Sequence, residues 1–151
     1  MFYKCYALAD INISNWNVSS LENTQAMFQN CFALKTIDLS GWKLREAGGI
    51  NMGAMFKMEN DQNRSTSLTT IYVGSGWDIN KLTESGDMFG GCNNLVGGKG
   101  TTLALTKEQS GDVVDSTYAR IDGGIVYDDN GNKDTTNAGY LTDIADKPAN
   151  P

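Results

Sequence analysis

The cysteines are the strongest candidates for covalent or metal chemistry in this chain, and they share one position. Cys5, Cys31 and Cys92 each lie four residues after a methionine that begins a Met-Phe pair. The chain has no histidine, so it lacks the commonest general base and the commonest transition-metal ligand. No C-x-x-C pair is present, which argues against a zinc site. Two alternatives remain open: neighbouring Cys5 and Cys31 form a disulfide across a strand spacing of ~5 Å, or all three are free, buried thiols, which we favour.

A second group of side chains could bind calcium. Asp128, Asn130, Asn132 and Asp134 alternate in the segment DDNGNKD and place oxygen atoms at every second residue. A calcium loop of the EF-hand type needs glycine at its sixth position and glutamate at its end. Here Gly131 is fourth, a lysine is sixth and no glutamate follows. We therefore favour an Asn-Gly hairpin turn and predict no metal and no cofactor.

The acidic residues do not suggest an active site. Without histidine, an enzyme would need a pair of carboxylates, as in glycoside hydrolysis, or a cysteine nucleophile without its usual partner. No carboxylate pair stands out from the scattered acidic residues, so we predict that the protein is not an enzyme. The net charge of −6 also argues against nucleic acid and against anionic membrane surfaces as partners.

A repeat must position these side chains. Met27–Trp42 reads MFQNCFALKTIDLSGW and recurs as MFYKCYALADINISNW from Met1, in stretched form over Met55–Trp77, and in half from Met88. We number the four units that begin at these methionines 1 to 4. The first two intervals fit the roughly 20–29 residues of leucine-rich-repeat units. The third is longer because unit 3 carries a polar insertion between its phenylalanine and leucine, which we expect to be a surface loop.

The apolar residues within a unit predict a strand and a helix. Isoleucine, leucine or valine alternates with polar residues, as in Ile37 and Leu39, which is typical of a short strand with one buried face. The spacing over 19–28 and 80–89 indicates helices, with a capping box at the first and Asn80 as N-cap of the second. Because one such unit cannot bury its own apolar face, the units must stack. We predict an α/β fold in which residues 1–96 form a short leucine-rich-repeat solenoid of three units plus a partial fourth.

The tryptophans also share a repeat position. Trp16, Trp42 and Trp77 follow the predicted strands. They form either a row on which sugar rings stack or a packing spine along the turn, and we favour packing because tryptophan buries more area than any other side chain.

The repeat stops after Leu95. Residues 97–143 contain strand-like runs separated by glycine and Asn-Gly turn signals, and we predict a β-rich C-terminal cap. The predicted strands are Thr101–Thr106, Thr117–Ile121, Ile125–Tyr127 and Gly139–Thr142. We interpret residues 144–151 as a linker or tail.

The polar residues that alternate with the buried ones predict a binding face. Asn12, Asp38 and Tyr72 should form one row across the stacked strands. Extended sheet faces bind partners in many repeat proteins. The alternative is a face that is merely solvated. The candidate binding residues are Asp10, Asn12, Thr36, Asp38, Thr70 and Tyr72.

The pattern M-F-x-x-C-x-x-L-x-x-I-x-L, with tryptophan following, resembles the BspA-like leucine-rich-repeat surface proteins, which include a repeat domain once described as of unknown function in Mycoplasma, Lactobacillus and gut or oral anaerobes. The segments NNLVGGKGTT (Asn93–Thr102), TYARIDGG (Thr117–Gly124) and GYLT (Gly139–Thr142) are similar to the closing module of such arrays, so the resemblance covers nearly the whole chain. The third unit departs from it by losing its cysteine, and residues 125–137 look like an insertion.

This resemblance implies a secreted or cell-surface bacterial protein used in adhesion or protein–protein contact, and it brings no catalytic residues. The expected partner is a host extracellular-matrix protein or another surface protein, with a glycan as an alternative. We expect no nucleic acid and no membrane insertion. A structural spacer in a longer repeat array and a carbohydrate-binding module with exposed aromatics such as Tyr72 are the other interpretations. The chain also lacks a signal peptide and opens inside a repeat, from which we expect that the parent protein begins earlier.

Overall fold

The computed structural model describes residues 1–148, and its regular elements are short. The strands are β1 Thr36–Leu39, β2 Ile50–Asn51, β3 Thr70–Val73, β4 Leu82–Glu84, β5 Val126–Tyr127, β6 Lys133–Asp134 and β7 Thr142–Asp143. One α-helix, α1, spans Leu103–Thr106, and 3-10 helices span Ile79–Lys81, Ser116–Tyr118 and Ile144–Asp146. Within residues 1–148, no helix has the length and apolar character that crossing a membrane requires.

The predicted strands of units 2 and 3 are present and lie side by side. β1 pairs with β3 in parallel, with Ile37 opposite Ile71 and Leu39 opposite Val73. These four side chains are buried because their alternation directs them to one face of the sheet. Unit 1 joins this sheet through one parallel bridge, from Asn12 to Asp38. β7 adds the outermost strand on the other edge of β3.

A second line of parallel contacts joins the units at their Met-Phe segments. β2 pairs with β4, and a bridge joins Asn23 to Asn51. In each of the first three units the phenylalanine N–H donates to the methionine carbonyl of the next unit. These bonds are Phe2 to Met27 at 2.8 Å, Phe28 to Met55 at 2.8 Å and Phe56 to Met88 at 2.9 Å.

The predicted helices over 19–28 and 80–89 are wrong. Residues 19–28 form turns around the bridge at Asn23. Residues 80–89 comprise the end of the 3-10 helix Ile79–Lys81, which Asp78 rather than Asn80 caps, followed by β4 and a turn. The residue before the methionine has positive φ in units 2, 3 and 4, at Ala26, Ala54 and Asp87. An α-helix cannot pass through that conformation, and the N–H groups of Phe28 and Phe89 already donate to the carbonyls of Met55 and Val114, far along the chain.

The phenylalanines of the Met-Phe pairs form a continuous stack through the core. Phe2 and Phe28 have ring centroids 5.5 Å apart, Phe28 and Phe56 6.0 Å, and Phe56 and Phe89 5.6 Å, all with nearly parallel planes. Tyr140 ends the stack edge-on against Phe89, at 5.2 Å and 79°. The stack therefore extends from the first unit into the C-terminal part of the chain.

The cysteines and tryptophans link neighbouring units. Cys31 and Cys92 are free and buried, and their thiols lie 2.9 Å from the carbonyl of Phe2 and 3.0 Å from that of Phe56. Burial raises the pKa of both thiols. The packing role predicted for tryptophan is confirmed at Trp42, which is 1% exposed.

The indole N–H of Trp42 donates to the carbonyl of Ile13 in unit 1 at 2.9 Å. The indole N–H of Trp77 donates to the carbonyl of Ala119 at 2.7 Å, outside the repeat. Trp16 is 38% exposed because residues 1–148 place no further unit on that side.

The C-terminal part matches the prediction only in places. The predicted strand Thr101–Thr106 is wrong, because α1 occupies most of it with the Thr102 hydroxyl accepting from Leu105 N. Thr117–Ile121 is also not a strand, since it begins in the 3-10 helix Ser116–Tyr118 and makes one bridge, from Ile121 to Leu141. Strands β5 and β7 lie within or beside the other two predicted runs.

The interpretation of DDNGNKD as a hairpin is confirmed. β5 and β6 pair in antiparallel fashion around it, with Gly131 at φ +79° in the loop. The Asp128 carboxylate accepts from the N–H groups of Asn130 and Asn132, both at 2.9 Å, and thereby stabilises the turn. These hydrogen bonds also lower the pKa of Asp128.

Candidate functional site

The predicted row across the strands is present. Asn12 bridges to Asp38, Asp38 pairs with Tyr72, and Tyr72 pairs with Thr142 of β7. The row arises because each unit repeats the same strand register, so residues at one repeat position lie opposite each other. Its Asn12 end is exposed and its Thr142 end is buried. The accessible part of the row therefore lies in units 1 and 2.

A polar cleft of about 280 Å³ lies at this exposed end, and we call it the sheet cleft. Residues of unit 1, residues of β1 and a lysine from the C-terminal segment line it. The polar lining residues are Asp10, Asn12, Ser14, Thr36, Asp38 and Lys147. Four of the six predicted binding residues thus belong to one site.

The other two predicted residues do not belong to it. Tyr72 is only 8% exposed, because β7 pairs with its strand and the Lys147 ammonium lies 5.4 Å from the centre of its ring. The expectation that Tyr72 is an exposed aromatic is therefore wrong. Thr70 is half-buried and lies outside the cleft lining.

Asp38 has a structural role in addition to its place in the cleft. One carboxylate oxygen accepts from Ser40 N at 2.9 Å and fixes the turn that ends β1. The other lies 3.6 Å from Lys147 Nζ, in an ion pair whose two side chains are 23% and 43% exposed. Exposed pairs of this kind contribute about 0–1 kcal/mol, so Lys147 can leave Asp38 at little cost.

The sheet cleft presents mainly hydrogen-bond acceptors. Asp10 and Asp38 carry two negative charges against the single positive charge of Lys147. The Asn12 carbonyl oxygen accepts from the Ser14 hydroxyl at 3.1 Å, which orients the amide. Such a lining favours ligand groups that donate, such as peptide N–H, ammonium and guanidinium groups.

Lys147 is the functional candidate that the sequence did not indicate. It lies in the segment interpreted as a linker or tail, but Ile144–Asp146 forms a 3-10 helix that directly follows β7 and carries Lys147 onto the sheet. The predicted strand Gly139–Thr142 was the feature of the sequence that could have indicated Lys147. A strand that joins the sheet places the residues that follow it close to the face of that sheet. Residues 149–151 of the predicted tail lie outside the described part of the chain.

The described residues contain no cluster of three or more histidine, cysteine, aspartate or glutamate side chains that could hold a metal ion. The sheet cleft offers the side chains of Asp10, Asn12, Asp38 and Lys147 for hydrogen bonds and ion pairs.

Comparisons with known proteins give one finding. Neither the curated proteins nor the solved structures contain a significant match to the chain. One family model does match, and its matched segment includes the whole sheet cleft except Lys147. Over residues 1–70 the chain matches the family described as "Mycoplasma protein of unknown function, DUF285".

Proposed function

We propose that this chain is a non-enzymatic binding module of a bacterial surface or secreted protein, built as a short leucine-rich-repeat solenoid of the BspA-like kind. The sheet cleft is its contact site, and its partner is a host extracellular-matrix protein or another surface protein. The observation that carries the proposal is the row of polar residues across the strands, which stays open only at Asn12 and Asp38.

The lining of the cleft supports a protein partner. Its excess of carboxylates complements a basic or amide-rich segment of a protein partner. Lys147 can leave Asp38 for a carboxylate or carbonyl of the partner, since its present ion pair is long and exposed.

The test is binding of the purified chain to a panel of extracellular-matrix proteins, with glycans included. The variant is Asp10→Arg combined with Asn12→Ala, because both side chains are exposed. Asp38 is left intact because it holds the β1 turn. We expect at least a tenfold loss of affinity, since a positive charge then faces a donor-rich segment.

The matched control is Glu84→Arg, the same charge reversal in exposed β4. It should bind like the original protein. Equal losses in both variants would show that only the overall negative charge matters. Unchanged binding in the Asp10→Arg, Asn12→Ala variant would exclude the sheet cleft.

A structural spacer is the second candidate, and the exposed side of unit 1 favours it. An apolar cleft of about 380 Å³ lies there, and Met1, Tyr3, Tyr6 and Trp16 are exposed around that end of the chain. Unit 1 covers the same side of unit 2, where the Phe2 N–H donates to the Met27 carbonyl and the Ile13 carbonyl accepts from the Trp42 indole. A folded chain that binds nothing on the panel would support the spacer.

A further inference from the structure

A cleft larger than the sheet cleft lies apart from it, where the repeat is irregular. Its volume is about 460 Å³, and we call it the insertion cleft. One wall is the polar insertion of unit 3, and the facing wall belongs to unit 4. Its lining includes Phe32, Met58, Glu59, Asn60, Ser65 and Asn93.

Unit 3 departs from the repeat at the start of this cleft. Glu59 occupies the position that is cysteine in the other units. Its carboxylate accepts from Asn30 Nδ2 at 2.7 Å and from Gln29 Nε2 at 3.4 Å, while its N–H donates to Asn30 Oδ1 at 2.8 Å. The stacking of the units does not require a glutamate here, because the neighbouring units stack with a cysteine at the same position. Departures of this kind from local regularity are expected at functional sites.

The inserted loop is held in place along its length. Arg64 pairs with Asp61 at 3.0 Å, and its guanidinium lies 3.9 Å from the ring centre of Tyr6 in unit 1. Further along, the carbonyl of Thr66 accepts from Asn94 Nδ2 at 2.8 Å. A wall anchored to units 1, 2 and 4 is already formed before a ligand arrives, which lowers the entropic cost of binding.

The chemistry of the lining identifies the ligand class. Phe32 and Met58 line the cleft but are only 5% and 4% exposed, so the apolar surface they offer is small. The exposed Asn60, Ser65 and Asn93 side chains supply both donors and acceptors. The charges of Asp61 and Arg64 are paired with each other. Glu59 then remains as a single carboxylate, which disfavours an anion and offers too little for a strongly cationic ligand.

We propose that the insertion cleft binds an uncharged saccharide. Sugar hydroxyls need donors and acceptors together, which amide and hydroxyl side chains provide, and the C–H face of a sugar ring can contact the small apolar surface. The cleft volume lies within the roughly 300–1,000 Å³ of small-ligand sites. This inference does not rest on the proposed function, because the two clefts share no lining residue.

The experiment is a titration of the ¹⁵N-labelled chain with three neutral oligosaccharides, namely cellobiose, N-acetyllactosamine and N-acetylchitobiose, followed by amide chemical shifts. At least one should shift the amides of residues 59–66 and 91–94 in a saturable manner. The variant Asn60→Ala, Asn93→Ala should weaken that binding at least tenfold. Both side chains are exposed, so the variant is expected to fold.

The matched control is Asn15→Ala, Asn80→Ala, which removes two exposed amides elsewhere. It should bind like the original chain. The proposal is overturned if none of the three sugars shifts these amides, if the shifts map to the sheet cleft, or if both double variants bind equally well. A sialylated lactosamine tested in parallel should bind more weakly than its neutral parent, and tighter binding of the sialylated form would also contradict the proposal.

Discussion

Asp122 is a buried carboxylate in the C-terminal part of the chain, and it joins three segments. It accepts from the N–H groups of Lys99 and Thr101 at 2.8 and 3.1 Å, from the Thr101 hydroxyl at 2.7 Å, and from Gly124 N and Gly139 N at 2.8 and 3.1 Å. Burial by itself would raise the pKa of Asp122, but these hydrogen bonds outweigh it and hold the pKa below its usual value. The carboxylate thus explains why the TYARIDGG segment contains an aspartate at this position.

Replacing Asp122 by asparagine should lower the free energy of unfolding by about 3 kcal/mol at neutral pH, because an amide cannot accept from all these donors and its own N–H₂ is left without an acceptor. Since the folded-state pKa is lowered, the contribution of Asp122 is complete above its unfolded-state pKa of roughly 3.9 and is lost as pH falls through the folded-state pKa. Urea unfolding at neutral pH and in acid measures both effects.

The control for this prediction is Asp129→Asn, in the exposed hairpin loop. This variant also removes one negative charge, but at an exposed position, so the free energy of unfolding should change little. A loss as large as that of Asp122→Asn would contradict the assigned role of the buried carboxylate.

At the scale of elements, the units depend on turns with left-handed residues. Met27 N donates to Thr24 O and Cys31 N donates to Phe28 O, and the third residues of these turns, Ala26 and Asn30, have φ of 57° and 62°. Positive φ at this position is what a type II turn requires. Asparagine tolerates this conformation, but alanine is strained in it by about 1–2 kcal/mol.

Replacing Ala54 by glycine should therefore raise the free energy of unfolding by about 0.5–1 kcal/mol. Ala54 has φ of 53°, and relief of that strain exceeds the entropy that glycine adds to the unfolded chain. Ala33→Gly is the control, because the φ of Ala33 is not positive, and it should destabilise the protein by a similar amount. Denaturant melts of both variants test the prediction, which is wrong if the two changes have the same sign.

At the scale of the whole molecule, the core is one aromatic stack closed at its C-terminal end. Tyr140 covers Phe89, and its hydroxyl contacts the Thr106 hydroxyl and the Val113 carbonyl, both at 2.6 Å. Burial raises the pKa of Tyr140 to about 12, so the ring stays neutral at physiological pH. The exposed aromatics at the other end show what an uncovered unit presents to solvent.

Two variants of Tyr140 separate the roles of its ring and its hydroxyl. Tyr140→Phe should cost about 1–3 kcal/mol, because it leaves the Val113 carbonyl unsatisfied. Tyr140→Ala should cost about 3–5 kcal/mol, because it also removes the ring that covers Phe89. Calorimetry should show one transition whose midpoint falls in that order. Equal midpoints for the two variants would show that the ring does not close the stack.

The features of this protein that depend on repetition are predictable from its sequence. Leu34, Ile37 and Leu39 have the same spacing as the residues at these positions in the other units, which predicts strands that pair in register. That register is enough to place Asn12 beside Asp38. Four of the six predicted binding residues share the sheet cleft for the same reason.

What the tertiary structure decided depends on bonds between residues far apart in the chain. Local spacing suggested helices around the Met-Phe pairs, but the Phe28 N–H bonds to Met55 of the next unit, and the turn at Ala26 brings it there. Lys147 and the burial of Tyr72 follow from β7 pairing with β3, a contact across the whole C-terminal part of the chain. A periodic sequence determines which residues can lie opposite each other, whereas the satisfaction of every buried N–H group determines which backbone conformation brings them there.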